Sequence, residues 1–403
     1  MPVKQCALCA SRKLIRVLDL GLHPLADTFV RSRKEARSLP RYPLIVLRCL
    51  SCGHVMNGYR VPPQQRYQAK DYSYDSSNSD VAIAHFAELA RDVGTSAKLG
   101  PKDLVVDIGG NIGTLLAAFK KKTKARILNI EPAGNIAALA EKNGVPTIRD
   151  FFTDDIGEHI ATIGGAKVIV STNAFNHIDQ LGDFMKGIMR ALKPDGSFAF
   201  EVPYLLLLVE RLAFDTIYLE HASYFAIRPL RPFLKKYHLT ITDIVENDYM
   251  GGSIRVTASR RGTETAAVKK YIAREKKAGL YDGTTYTHMM QQVKTFKRTL
   301  LAELRRVKRR GGRIIGIGAA TKGNTLLNFC GIDDTLLDYV TDVSPLKIGK
   351  YTPGSALVIK SDEAISQQIT HALILPWNIA GFLKEKLVPK YPKLAFITPH
   401  MEE

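Results

Sequence analysis

Residues 104–114, LVVDIGGNIGT, constrain the fold more than any other stretch. Leu104 to Ile108 form an apolar, β-branched run that carries a single acid, the pattern of a buried parallel strand. Gly109, Gly110 and Gly113 follow at once, and residues 114–119 open an amphipathic helical pattern. A strand, a glycine turn and a helix start together make a place where backbone approaches a ligand closely. A second strand pattern at 126–130 ends in Glu131, about twenty residues after the glycines. An acid there suits the two hydroxyls of a ribose.

That spacing fits a dinucleotide fold or an S-adenosylmethionine (SAM) fold. Asp107 at the end of the first strand favours SAM, and so does a turn reading D-I-G-G-N-I-G in place of G-x-G-x-x-G. Further strands are expected at 147–149, 167–171 and 197–201, with helices between, and Lys193-Pro194-Asp195-Gly196 reads as a turn before the last of them. The fold class is α/β: a central doubly wound sheet, with its ligand crevice at the carboxyl ends of the strands.

The chain has 403 residues, enough for two or three domains with ample core. No apolar run of signal-peptide length opens it, and the longest aliphatic run, 205–209, is too short to span a bilayer. The expected location is the cytoplasm. Four of the five cysteines form two C-x2-C pairs, Cys6/Cys9 and Cys49/Cys52. In a reducing compartment such pairs hold a metal rather than forming disulfides. Four thiolates close a tetrahedral zinc site, which is structural because no position stays open. His54, two residues past Cys52, is a substitute ligand in reserve, and Cys330 reads as a buried core thiol. The net charge of +18 points to anionic partners, either nucleic acid or an anionic small substrate. The basic runs at 269–277 and 305–310 read as solvated helix faces.

Other segments add candidate chemistry. Residues 67–86 place Tyr72 and Tyr74 ahead of a helix expected from 81 to 93, with Ser79 or Asp80 as its N-cap. They either reach into the crevice or form a plain linker. Residues 172–179, TNAFNHID, put Asn173, Asn176 and His177 where a substrate over the cofactor sits. The N/D-P-P-Y/F/W-type motif of many enzymes that methylate base amines is absent. Residues 214–225 gather Tyr218, Glu220, His221 and Tyr224: a base, a carboxylate and phenols, or else an aromatic helix face. A basic helical region is expected from 265 to 310. A second strand–glycine–helix unit follows at 313–328, with further strands at 337–341, 357–359 and 371–375. Its turn carries Lys322 and Asn324, and residues 347–353 carry Lys347, Lys350 and Tyr351. Both segments can hold a phosphate, or be ordinary αβ loops.

Taken in order, these motifs resemble one family. They are the two C-x2-C pairs, LGLHPLA at 20–26, YSYDSSNS at 72–79, DIGGNIG, residues 173–177, YLEH at 218–221, GGSIR at 251–255, ATKGN at 320–324 and GKYTPG at 349–354. The chain resembles the zinc-containing, SAM-dependent sugar C-methyltransferases, the nucleotide-linked 4-keto-6-deoxysugar 3-C-methyltransferases. The resemblance implies a zinc module at 1–70, a SAM domain at 71–248, and a Rossmann-like domain at 249–403 that helps hold the nucleotide sugar. It implies that a base removes the proton beside the ketone and that the enolate takes the methyl group of SAM. By motif match His221 is the base, with Glu220 and Tyr218 beside it, and His177 is a second histidine near the keto oxygen. Leu219 stands where relatives often carry a polar residue, usually His, a departure that bears on how the sugar is gripped.

Asp107, Gly109, Asn111, Gly113, Glu131 and Asn173 match the SAM pocket. Tyr72, Tyr74, Arg255, Lys322, Asn324, Lys347, Lys350 and Tyr351 are the candidate sugar-nucleotide contacts. The expected partner is a nucleoside-diphosphate sugar, with no nucleic acid and no membrane, acting on a monomer or homodimer. Two other readings remain at this point: the same fold acting on another sugar position or C–H acid, and a basic, zinc-containing protein that binds or modifies nucleic acid. The few aromatics among the basic residues of the zinc module count against the latter.

Overall fold

The structure, a computed structural model, describes residues 1–69, 71–77 and 79–399. Strands β1 (Leu14–His23), β2 (Tyr42–Cys49) and β3 (Val55–Asn57) pair antiparallel in chain order. Cys49 ends β2, and the Gly53 N–H closes the knuckle on its carbonyl at 2.9 Å. Gly53 has a φ of +87°, and a Cβ there would stand 2.5 Å from the Tyr281 ring. Only glycine fits so tight a turn under an aromatic side chain.

Strands β4 (Leu104–Ile108), β5 (Arg126–Ile130), β6 (Thr147–Ile148), β7 (Ala166–Thr172) and β8 (Leu192–Pro203) form a parallel sheet in the order β8-β7-β4-β5-β6. Every residue of β4 is buried because helices cover both faces. The alternation of strand side chains sorts them: Val105 packs with Phe86, Leu89, Leu116 and Phe119, whereas Leu104 and Val106 pack with Ile160, Phe184 and Ile188. The helix Asp80–Ser96 starts at Ser79, whose hydroxyl accepts the Ala82 N–H at 3.4 Å. Residues 193–196 were expected as a turn ahead of β8. They lie inside it instead, as a bulge: Ala166 pairs with Leu192 but Val168 pairs with Ser197. The ladder resumes beyond the extra residues, so a turn-forming tetrapeptide interrupts the strand without ending it.

Strand β9 (Ser223–Tyr224) leaves this domain and pairs antiparallel with β3, completing the sheet β1-β2-β3-β9. Strands β10 (Thr240–Asn247) and β11 (Ser253–Ser259) then cover the free edge of β8, giving β10-β11-β8-β7-β4-β5-β6. A boundary at 248 therefore cuts between two strands of one sheet, and the central sheet runs through Ser259. An edge hairpin carries no periodic signal that separates it from the start of the next domain.

The basic region expected as one stretch is two helices, Ala267–Lys277 and Gly283–Arg309. Gly279, at φ +68°, ends the first, and the Asp282 carboxylate caps the second on Thr284 N–H at 3.1 Å. Strands β12 (Ile314–Ile317), β13 (Val340–Thr341), β14 (Ile359–Lys360), β15 (His371–Ile374) and β16 (Ala395–Ile397) make a second parallel sheet in the order β14-β13-β12-β15-β16. Strand β16 was not anticipated: three residues are too short for a period to show. Cys330 is buried in this domain's core, as expected. Among the described residues, no helix is long and apolar enough to cross a membrane.

Candidate active site

A cavity of about 480 Å³ opens at the carboxyl ends of β4, β5 and β7. The turn after β4 forms its floor. Gly109 adopts φ +72° and its N–H reaches the Ile130 carbonyl at 2.8 Å. A Cβ on Gly110 would stand 2.4 Å from Asn129 Oδ1 and 2.7 Å from Asp107 Oδ2, so this backbone has to stay bare. Asn111 ties three segments together. Its N–H donates to Glu131 Oε2 (3.1 Å), its side-chain amide donates to the Tyr74 carbonyl (2.9 Å), and its Oδ1 accepts the Ser76 N–H (3.0 Å). Glu131 Oε1 accepts the Ala133 N–H at 2.9 Å. Each Glu131 oxygen thus keeps a lone pair for a hydroxyl. Asp107 is buried and its Oδ1 has no partner. Burial, with Glu131 nearby, pushes its carboxyl up to about 8, and burial pushes Glu131 up to about 7. Two acids at adjacent strand ends suit a ligand that carries both hydroxyls and positive charge, as SAM does. Asn173, at φ +52°, and His177 complete the wall after β7, and Tyr72 and Tyr74 cover it from the segment before the sheet. Gly113 caps the following helix at φ +83° but does not line the cavity.

The histidines expected to be catalytic gather at one end of this cavity. The His177 ring lines it, with Nδ1 at 2.7 Å from the Tyr67 hydroxyl. His221 sits behind His177, with ring centroids 4.8 Å apart and planes at 82°. Tyr218 lies over His221 at 3.8 Å. His221, Glu220 and Tyr218 are therefore gathered beside His177 but are not themselves part of the cavity wall. Burial holds both imidazoles neutral: His177 is pushed down to about 3, with the Arg66 charge adding to the effect, and His221 is well below the usual histidine range.

The zinc module holds this loop by its backbone. Asn57, on β3, donates its side-chain amide to the carbonyls of Tyr218 (2.8 Å) and His221 (2.7 Å). Arg60 donates to the Ala222 carbonyl at 2.7 Å. Arg66 donates to the carbonyls of both His177 and Glu220 at 3.2 Å and pairs with Asp179. Glu220 Oε1 accepts the Asp27 N–H at 3.0 Å, and the Asp27 carboxylate takes the Thr321 hydroxyl at 3.0 Å, which links the third domain to the same cluster. Burial raises Asp27 to about 6 and Glu220 to about 7. Asn57, Arg66, Asp27 and Tyr67 were not singled out from the sequence. Asn57 and Arg66 hold peptide groups, and Asp27 and Tyr67 side chains, more than a hundred residues away, which leaves no local spacing to find.

Six expected sugar-nucleotide contacts lie outside the cavity wall. Arg255 is in β11 and pairs with Asp92 at 3.1 Å, a sheet-to-helix ion pair rather than a ligand contact. Asn324 is spent on the Ala26 carbonyl (2.7 Å) and Lys347 on the Ala319 carbonyl (2.9 Å). Tyr351 pairs its backbone with Val30 and packs beside Ala36 and Ala356. Lys350 is half-buried. Lys322 Nζ is buried without a hydrogen-bond partner, 4.3 Å over the Trp377 ring.

The four cysteine sulfurs lie within 4.8 Å of one another, with Cys6–Cys52 and Cys9–Cys49 both at 3.6 Å. A tetrahedron built on zinc–sulfur bonds of about 2.3 Å has edges of about 3.8 Å, so the donor set fits zinc. His54 is not a ligand. Its Nε2 lies 3.2 Å from the Ser223 hydroxyl, a further tie to β9.

Three outcomes follow from this geometry. Cys49→Ser should lose zinc and lower the melting temperature by several degrees, because metal binding at such a site is folding free energy; retained zinc with an unmoved transition would break the four-ligand assignment. Gly110→Ala should fold but weaken SAM at least about tenfold in calorimetric titration, since its Cβ must displace Asp107 or Asn129. The third concerns pH. The native state keeps the Asp107 proton to about pH 8, whereas an unfolded aspartate releases it near pH 4. Between those values the native state binds more protons, so this contribution to stability falls as pH rises. Ligand-free Asp107→Asn should lose less melting temperature than wild type between pH 6.5 and 8, and parallel curves would remove Asp107 as the titrating group.

Sequence-family models match the chain in three consecutive blocks: a zinc binding domain at residues 6–67, a methyltransferase domain at 83–244, and a C-methyltransferase C-terminal domain at 248–392. C-methyltransferase NovU of Streptomyces niveus is 31% identical over 384 residues, covering 94% of this chain and 91% of its own length. Among solved structures, an S-adenosylmethionine-dependent methyltransferase from Clostridium acetobutylicum is 14% identical, covering 45% of this chain and 94% of its own, with a TM-score of 0.36. Geranyl diphosphate C-methyltransferase from Streptomyces coelicolor is 12% identical, covering 46% and 84%, with a TM-score of 0.34. With its four-cysteine zinc site, its SAM-binding sheet and a relative matched almost end to end, this chain belongs to the zinc-containing, SAM-dependent C-methyltransferase family.

Proposed function

We propose that the protein methylates the carbon beside the ketone of a nucleoside-diphosphate-linked 4-keto-6-deoxysugar, at C3. The observation that carries this reading is the pair of neutral, buried imidazoles, His177 and His221, packed edge-on, with Tyr218 tilted over His221 at the end of the cofactor cavity. A ketone acidifies its neighbouring C–H, and an imidazole held neutral by burial has a nitrogen lone pair free to take that proton. His221 has a buried Nδ1 with no partner and is the base in this scheme. Glu220, next in the chain, supplies negative charge as the imidazole becomes cationic. The enolate oxygen needs donors, and His177 and a tyrosine hydroxyl supply them. Bound SAM supplies an electrophilic methyl group at the face of the enolate carbon. His177 stands between the cavity and His221, so the sugar carbon reaches the base as the His177 and Tyr218 rings shift apart.

The nucleotide end is assigned to the third domain. Lys322, at the start of the helix Thr321–Cys330, has an ammonium with no hydrogen-bond partner among the described residues, though it lies over the Trp377 ring, and Lys350 is a second, half-buried cation. A pyrophosphate there gives part of the +18 charge a use. The partially engaged Lys347 and Asn324 serve this site by shaping its loops. A carbon acceptor, rather than a base amine, also agrees with the missing N/D-P-P-Y/F/W-type motif.

Deuterium wash-in tests the reading. In D2O, with a TDP- or GDP-linked 4-keto-6-deoxysugar, exchange at the carbon beside the ketone is expected, followed by methyl gain on adding SAM. His221→Ala should keep SAM affinity and lose turnover by about a hundredfold or more. Neither exchange nor methyl transfer, with SAM still bound, would exclude this acceptor.

A further inference from the structure

We infer that Tyr67 sets the tautomer of His177, so that His177 carries its proton on Nε2 and acts as a hydrogen-bond donor, not as a second base. The Tyr67 hydroxyl and His177 Nδ1 are 2.7 Å apart, and one of them donates. A neutral imidazole has one N–H and one bare nitrogen. If Nδ1 carried the proton, the phenol would accept it and its own O–H would need another acceptor. Among the described residues the hydroxyl has no other hydrogen-bond partner, and a buried unpaired O–H is costly. If the phenol donates, both groups are satisfied, and the more acidic O–H meets the more basic nitrogen. The imidazole proton is then on Nε2.

The surroundings fix this arrangement. The Tyr67 ring is held edge-on by Tyr72 at 5.6 Å and by Phe151 at 6.4 Å. The guanidinium of Arg66 holds the His177 carbonyl at 3.2 Å, and its charge opposes a doubly protonated ring. His221 differs at the equivalent atom: its Nδ1 is buried with no donor on it. The two histidines, 4.8 Å apart, are thereby given opposite tasks. One has its acceptor nitrogen occupied and offers a proton. The other keeps a nitrogen free to take one. Tyr67 is a positioning residue in this scheme. The consequence for catalysis rests on the reading proposed above, with the His177 proton meeting the enolate oxygen, while the tautomer itself does not depend on it.

The test uses the full-length, zinc-loaded protein labelled with 15N-histidine, with His177 assigned by comparison with His177→Asn. In wild type, the long-range 15N–1H pattern should show a protonated Nε2 and a bare Nδ1. In Tyr67→Phe, which keeps the ring and removes the hydroxyl, the two nitrogen shifts should move toward an averaged mixture. Methyl transfer should fall about tenfold or more at unchanged SAM affinity, and 3-fluorotyrosine at position 67, which keeps the hydroxyl, should restore it. A wild-type His177 protonated at Nδ1, or a pattern unmoved by Tyr67→Phe, overturns the inference. The spectrum needs no sugar, so it stands apart from the acceptor: a correct tautomer with no C–H exchange would overturn the proposed function and leave the role of Tyr67 intact.

Discussion

The grip of Asn57 on the carbonyls of Tyr218 and His221 is the contact on which the rest of the site depends. A loop carrying three polar side chains into a buried place needs its peptide groups satisfied, and here the satisfaction comes from outside its own domain. Asn57 stands at the end of β3, the strand that pairs with β9 just past His221. The knuckle at Cys49 and Cys52 sets where β3 begins. The cysteine cluster thus holds the loop of Tyr218 and His221 through a strand, a side-chain amide and two carbonyls. A metal with no open coordination position still has a direct structural hold on the chemistry.

Charge in the site follows one rule: almost every ionisable group is buried, and burial favours its neutral form. Asp107, Glu131, Asp27 and Glu220 are pushed up, and His54, His177 and His221 are pushed down. Arg60, also pushed down by burial, and Arg66 both pair with Asp179. The cluster keeps its acids and bases poised rather than paired off. Asp27 extends it to the third domain, since its N–H holds Glu220 while its carboxylate holds Thr321. The three domains meet at Glu220 beside His221, so a change in any of them reaches the same loop.

The sequence made the cofactor floor legible because that floor is local. Strand, glycines, helix and a strand-ending acid lie within about thirty residues, and each carries its own signature: β-branching for β4, bare backbone at Gly110, a carboxylate at Glu131. The cysteine pairs were legible for the same reason. The motif YLEH could be seen as chemistry, but not what orients it. Asn57, Arg66 and Tyr67 are ordinary residues in sequence and act only once the chain has folded back on itself. Arg255 shows the converse: it lies in a motif the family shares, yet its guanidinium is bound to Asp92 across the sheet edge.

The sequence by itself determined the parallel central sheet, the glycine turn after β4 and the two cysteine pairs, because short-range periodicity and spacing encode each of them. Tertiary structure alone decided that β9 joins the zinc module, that β10 and β11 extend the central sheet, and that two histidines 44 positions apart stand 4.8 Å from each other. Pairings between distant segments depend on the summed burial and hydrogen bonding of the whole chain. No stretch of it carries that sum alone.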